Sequence, residues 1–140
     1  ICGQGTLEQY LKELSNSLGI GDKVILAGYR NDVAEIYKIA DLFVFPSFRE
    51  GLPRSMMEAM AAGLPCIASK IRGNVDLIED KKGGFLCKPN DVKGFVKAIN
   101  SLYEDKKLRD NIIIYNLDKI KDYDVKFVKN EMKKIYNKKI

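Results

Sequence analysis

Two carboxylates eight residues apart, Glu50 and Glu58, mark the part of this sequence best equipped for chemistry. Glu50 lies in the run Pro46-Ser47-Phe48-Arg49-Glu50-Gly51-Leu52-Pro53, directly ahead of a segment with helical character. Gly51 lets a ligand approach the backbone, and Pro53 suits the first turn of a helix. Free N–H groups of that turn, together with the helix dipole, make an anion site suited to a phosphate. With Glu58 inside the helix, the two carboxylates can flank a ligand lying over the helix start. Carboxylates accept hydrogen bonds from vicinal hydroxyls, so a sugar or a ribose is a fitting partner. A solvated Glu50 and a Glu58 that merely faces water fit the same spacing.

The elements that must position these residues read as alternating strands and helices. Residues 1–3 resemble a strand end, followed by the turn Gly3-Gln4-Gly5. Leu7, Leu11, Leu14 and Leu18 form a helical stripe over 6–18, with Thr6 as N-cap and Gly19 as C-cap. A strand over 24–27 closes at Gly28, and Asp32 caps a helix running through Lys38. Further strands are predicted over 42–46, 65–69 and 84–88, with a helix from Pro53 to Ala62 and Gly63 behind it. From Asp91 the pattern is helical, over 92–103, 107–121 and 125–137. Strand-helix alternation predicts an α/β fold, a Rossmann-like parallel sheet flanked by helices. Ligands of such sheets sit beyond the carboxyl ends of the strands. That directs attention to the loops 3–5, 28–32, 47–53 and 69–76.

Composition narrows the class. The 140 residues are 46% apolar and 31% charged, with 11 Gly and 4 Pro, which suits a soluble globular domain. No apolar run approaches the roughly 20 residues of a membrane span. The start on Ile1 rather than Met is expected of a fragment. No His is present, which excludes a histidine base, a His-ligated metal and a Ser-His-Asp triad within this chain. Cys2, Cys66 and Cys87 have no C-x-x-C spacing and read as reduced core cysteines. The net charge is +5, and residues 118–140, with eight Lys and four acids, hold +4 of it. The nearly neutral body lacks the basic stripe of a nucleic-acid protein.

The string ADLFVFPSFREGLPRSMMEAMAAGLPCIASKIRGNVDLI resembles the donor-binding domain of GT-B fold, family 4 glycosyltransferases, in the manner of bacterial capsule and exopolysaccharide transferases. The signature is E-x7-E, here Glu50 to Glu58, set in P-S-x-x-E-G-x-P and E-A-M-A-x-G-x-P. CGQG resembles the family's G-x-G turn, VILAGYRNDV its base-binding strand and loop, and GGFLCKPND its last strand before the terminal helices. The resemblance runs from Ile1 to about Leu108.

That resemblance implies a C-terminal half of a GT-B fold lacking its first strand: residues 1–140 as a partial nucleotide-sugar-binding domain ending in terminal helices over 107–140. It implies a cytoplasmic enzyme that transfers a hexosyl or hexosaminyl group, with retention, from a nucleotide diphosphate sugar, expected to be UDP-linked. The acceptor would be a growing polysaccharide or a lipid-linked glycan. Glu50 would bind donor-sugar hydroxyls and stabilise the reacting centre. Gly51, Leu52 and Pro53, with Gly3 and Gly5, would border sugar and diphosphate, Glu58 would hold the ribose diol, and Gly28, Tyr29 and Arg30 would line the base. No metal or other cofactor is expected. The family's diphosphate-binding Arg and Lys and its N-terminal acceptor domain would lie upstream, so these 140 residues alone are expected to be inactive.

Other readings remain. A nucleotide-sugar-binding module without transfer activity and a GT-B-fold UDP-sugar epimerase fit the same residues. A nicotinamide domain is disfavoured because Glu8 stands where Gly3-x-Gly5 would need its third glycine. Asp122-Tyr123-Asp124 spells a D-x-D metal-nucleotide motif, but it lies between Lys-rich helices and reads as a helix break with Asp124 as N-cap. Val128, Met132, Ile135 and Tyr136 share one helical face, open to packing on the sheet or to peripheral contact with anionic lipid.

Overall fold

The computed structural model describes residues 1–137, which divide into two compact units, 1–36 and 37–137, the division falling inside helix α2 (Val33–Ile39). In the first unit, helix α1 (Glu8–Ser17) carries the leucine stripe but starts late. Leu7 occupies the cap position and no side chain caps the helix, because the chain enters through a turn in which Glu8 N donates to Gly5 O and Thr6 lies inside. At the far end Gly19 N bonds to Asn16 O and Ile20 N to Ser15 O, a Schellman closure at the expected glycine.

The strands expected over 1–3 and 24–27 do not form a ladder. Ala27 N donates to Ile1 O at 2.8 Å and Gly3 N to Gly28 O at 2.7 Å, so the segments run parallel, but they share a single bridge, Cys2 to Gly28. Gly28, at φ +62°, leaves the extended region at the point where pairing would have to continue.

The second unit is built on a three-stranded parallel sheet, ordered β1 (Phe43–Phe45), β2 (Cys66–Ser69), β3 (Gly84–Cys87). Phe43 pairs with Cys66, and Cys66 in turn with Gly84. Helix α3 (Arg54–Ala61) connects β1 to β2, and the short α4 (Asn74–Leu77) lies between β2 and β3. After β3 come α5 (Val92–Glu104) and α6 (Lys106–Lys119). All four residues of β2 are buried, which requires cover on both faces of the sheet. Against Ile67 and Cys87 close Phe95, Ala98 and Leu102 of α5 and Ile112 of α6. Helix α3 packs on β1 and β2 and buries Met56, Ala59 and Met60 completely. The α/β architecture with helices flanking a parallel sheet is therefore the one expected.

Local chemistry sets the helix ends. Pro53 holds the cap position of α3, and Gly63, at φ +78°, closes it with Gly63 N to Met60 O and Leu64 N to Ala59 O. Asp91 caps α5 by accepting from Gly94 N, and Asp105 caps α6 by accepting from Leu108 N, both at 2.9 Å. A 3-10 turn over Ile120–Tyr123 leads to α7 (Val125–Asn137), and Asp124 accepts from Lys126 N at 2.7 Å as the expected cap. Packing of α7 on the sheet does not occur: the helix buries no residue, and Val128, Met132, Ile135 and Tyr136 are all exposed. Of the terminal helices expected over 107–140, residues 138–140 lie outside the described residues.

Candidate functional site

Ser47 Oγ donates to Glu50 Oε1 at 2.7 Å, so the carboxylate is held by its own loop, and both residues are half-buried. Phe48 and Leu52 point outward from the same loop. Downstream, Met56 N and Met57 N both donate to Pro53 O at 3.2 Å. By helix geometry, the amides of Arg54 and Ser55 are left without intrahelical acceptors. The first turn of α3 is fixed from behind: the buried Tyr37 donates its hydroxyl to Ser55 O at 3.1 Å, and its ring meets Phe43 edge-on at 6.0 Å. A carboxylate and a helix start thus share one anchored loop, and that pairing can bind hydroxyls and an anion together. The sequence pointed to Glu50, Gly51, Leu52 and Pro53 but not to Ser47, whose only signal is its position three residues before the carboxylate.

Glu58 occupies the face of α3 opposite Met56 and Met60, as 100° per residue dictates. Arg54 Nε donates to Glu58 Oε1 at 2.9 Å in an i,i+4 pair; the Arg54 side chain is 88% exposed and that of Glu58 42%. The carboxylate faces outward and is shared with Arg54.

Gly3, Gly5, Gly28, Tyr29 and Arg30 belong to the first unit. Gly3 and Gly5 line a cleft of about 230 Å³ floored by Leu7, Leu11 and Leu26. Tyr29 is 76% exposed. Arg30 Nε donates to Asp32 Oδ1 at 2.8 Å, and this bond holds the Asp32 carboxyl below its ordinary range and raises the guanidinium. The pair fixes the Arg30 guanidinium; the side chain remains 44% exposed and keeps further N–H donors.

The D-x-D carboxylates are engaged elsewhere: Asp122 pairs with Lys119 at 3.1 Å and Asp124 caps α7. Among the described residues no group of three or more Cys, Asp or Glu side chains converges as a metal site would. Two of the three cysteines lie in the core as expected, but Cys2 is exposed, because its segment pairs through one bridge only. Burial pushes the Cys66 thiol up to about 12. No described helix is long and apolar enough to cross a membrane.

Residues 1–118 match the family model described as glycosyl transferases group 1. The chain belongs to this family. Within the group 1 glycosyltransferases, it is 37% identical over 144 residues to the UDP-Gal:alpha-D-GlcNAc-diphosphoundecaprenol alpha-1,3-galactosyltransferase of Escherichia coli, a match covering 94% of this chain and 37% of that protein. It is 33% identical to the N,N'-diacetylbacillosaminyl-diphospho-undecaprenol alpha-1,3-N-acetylgalactosaminyltransferase of Campylobacter jejuni, over 81% of this chain and 30% of that one. Among solved structures, HepE of Anabaena in complex with UDP superposes with a TM-score of 0.87 at 26% identity, covering 98% of this chain and 40% of that chain. This group 1 glycosyltransferase chain spans 37% of the length of the E. coli relative, and its sheet and helices are those of the GT-B glycosyltransferases it resembles.

Proposed function

We propose that this chain is the donor-binding part of a retaining hexosyl- or hexosaminyltransferase that takes its sugar from a nucleotide diphosphate sugar, UDP-linked, and gives it to a polysaccharide or lipid-linked glycan. The observation that carries the reading is the Glu50 carboxylate, fixed by Ser47 directly ahead of the α3 start. Support for the nucleotide comes from the E. coli relative, whose name specifies a UDP-galactose donor, and from the Anabaena neighbour solved with UDP. Names specifying diphosphoundecaprenol-linked acceptors support the lipid-linked glycan.

In this reading Glu50 binds donor-sugar hydroxyls and stabilises the positive charge that develops at the anomeric carbon, acting by electrostatics rather than as a proton shuttle. In the second unit, backbone groups of Gly51, Leu52 and the first turn behind Pro53 meet sugar and diphosphate, and Glu58 takes the ribose diol. For the first unit, the family resemblance implies Gly3 and Gly5 at the donor and Gly28, Tyr29 and Arg30 at the base. No metal or other cofactor enters the reaction. A further domain of the full-length protein holds the acceptor, and the 140 residues alone do not catalyse. A lipid-linked acceptor places the enzyme at the cytoplasmic face of a membrane, where the exposed apolar face of α7 beside Lys129 and Lys133 suits peripheral contact. The test is Glu50→Gln in the full-length protein: transfer is expected to collapse while most UDP affinity, measured by calorimetry, survives. Wild-type transfer by the variant overturns the role.

A further inference from the structure

We propose that Gly73 and Asn74 are positioning residues that set where the Glu50 carboxylate stands. The inference rests on the donor-site reading of Glu50 and adds what holds that residue at its height above the sheet. The backbone carbonyls of Glu50 and Gly51 rest against Gly73: a Cβ built on Gly73 would lie 2.2 Å from Gly51 O and 3.0 Å from Glu50 O. Both opposing atoms are backbone, so no flexible side chain can yield. Gly73 also stands at φ +90°, where L side chains are strained.

The support beneath Gly73 is rigid. Asn74, fully buried, donates Nδ2 to Ser69 O at 2.8 Å and so ties the first residue of α4 to the last residue of β2. The intervening segment is held again by Lys70 N to Cys87 O and by Val75 N to Ile71 O. Gly73 holds the cap position of α4, and the Asn74 side chain reaches back to the strand. Its Oδ1 is buried with no hydrogen-bond partner among the described residues. An apolar residue would fill the space without that unmet acceptor but could not make the tie. Glu50 is thus constrained twice, by Ser47 at the carboxylate and by Gly73 at the backbone.

The experiment is a double-mutant cycle in the full-length protein, reading kcat, donor KM and UDP affinity for Gly73→Ala, Glu50→Gln and the pair. Gly73→Ala is expected to lower kcat about 10- to 100-fold, the effect of a displacement near 1 Å. UDP affinity should stay within about threefold, and adding Gly73→Ala to Glu50→Gln should cost little more, because no carboxylate is left to be positioned. If Gly73→Ala does not fold, the same cycle is run with Asn74→Ala, which removes the tie to Ser69 O together with the rest of the buried amide. Losses that multiply independently, or a Gly73→Ala enzyme with wild-type kcat beside a crippled Glu50→Gln, overturn the positioning role alone. A Glu50→Gln enzyme with wild-type kcat overturns the donor-site reading and this inference with it.

Discussion

Ser47 and Glu50 form a closed turn of their own, hydroxyl to carboxylate at 2.7 Å across three residues. The same hydroxyl lies 3.4 Å from Arg49 O, a longer contact, so the bond to the carboxylate is the main one that Ser47→Ala removes. A hydrogen bond to a charged group is worth about 1.5–3 kcal/mol, so transfer is expected to fall about tenfold or more. Ser47→Thr, which keeps the hydroxyl, should recover most of the rate. Steady-state assays of the three enzymes check this, and an unaffected Ser47→Ala enzyme removes Ser47 from the account.

Glu58 is shared with Arg54 on an outward face of α3, and exposed pairs of this kind contribute about 0–1 kcal/mol to stability. Arg54→Ala should therefore leave the unfolding midpoint nearly unchanged and UDP affinity no weaker. Glu58→Gln should weaken UDP binding about tenfold, the worth of one charged hydrogen bond to a ribose hydroxyl. Calorimetry on both variants decides it: equal affinities for UDP would release Glu58 from the ribose.

Cys66 offers a pH test with a defined sign. Its folded thiol titrates at about 12 because burial disfavours the thiolate, against an ordinary value of 9.0 in an unfolded chain. The stability this contributes is complete below pH 9.0 and is lost progressively as the pH climbs toward 12. Denaturant melts between pH 8 and 10.5, roughly, should show a decline that is shallower in Cys66→Ala. At neutral pH a thiol reagent should label exposed Cys2 and spare Cys66 until the chain unfolds.

Much of the second unit was legible because short-range chemistry punctuates it. Pro53 and Gly63 bound α3, Asp91 and Asp124 stand where α5 and α7 begin, and the strands sit within a residue or so of the apolar runs that predict them. Asp105, a cap as good as Asp91, carries no comparable signal in the sequence because the turn it closes is a single residue between two helices. Pattern was less informative over 24–27, where four apolar residues face a partner segment too short for a ladder. At the site, residue types marked the Glu50 loop, but the contacts that fix it are of two other kinds. The Ser47 bond depends on a loop conformation that spacing alone does not specify. The seat on Gly73 joins loops more than twenty residues apart, and nothing local to either announces it.

Strand β1 has one neighbour among the described residues, β2, and Val44 at its centre is 41% exposed. A parallel strand with an unpaired row of amides and carbonyls is a template for any other extended chain. Produced by itself, this polypeptide therefore carries an adhesive margin beside its best-formed layer. Pairing through that margin would make self-association rise with concentration, so dilution is the condition in which the polypeptide is expected to stay single.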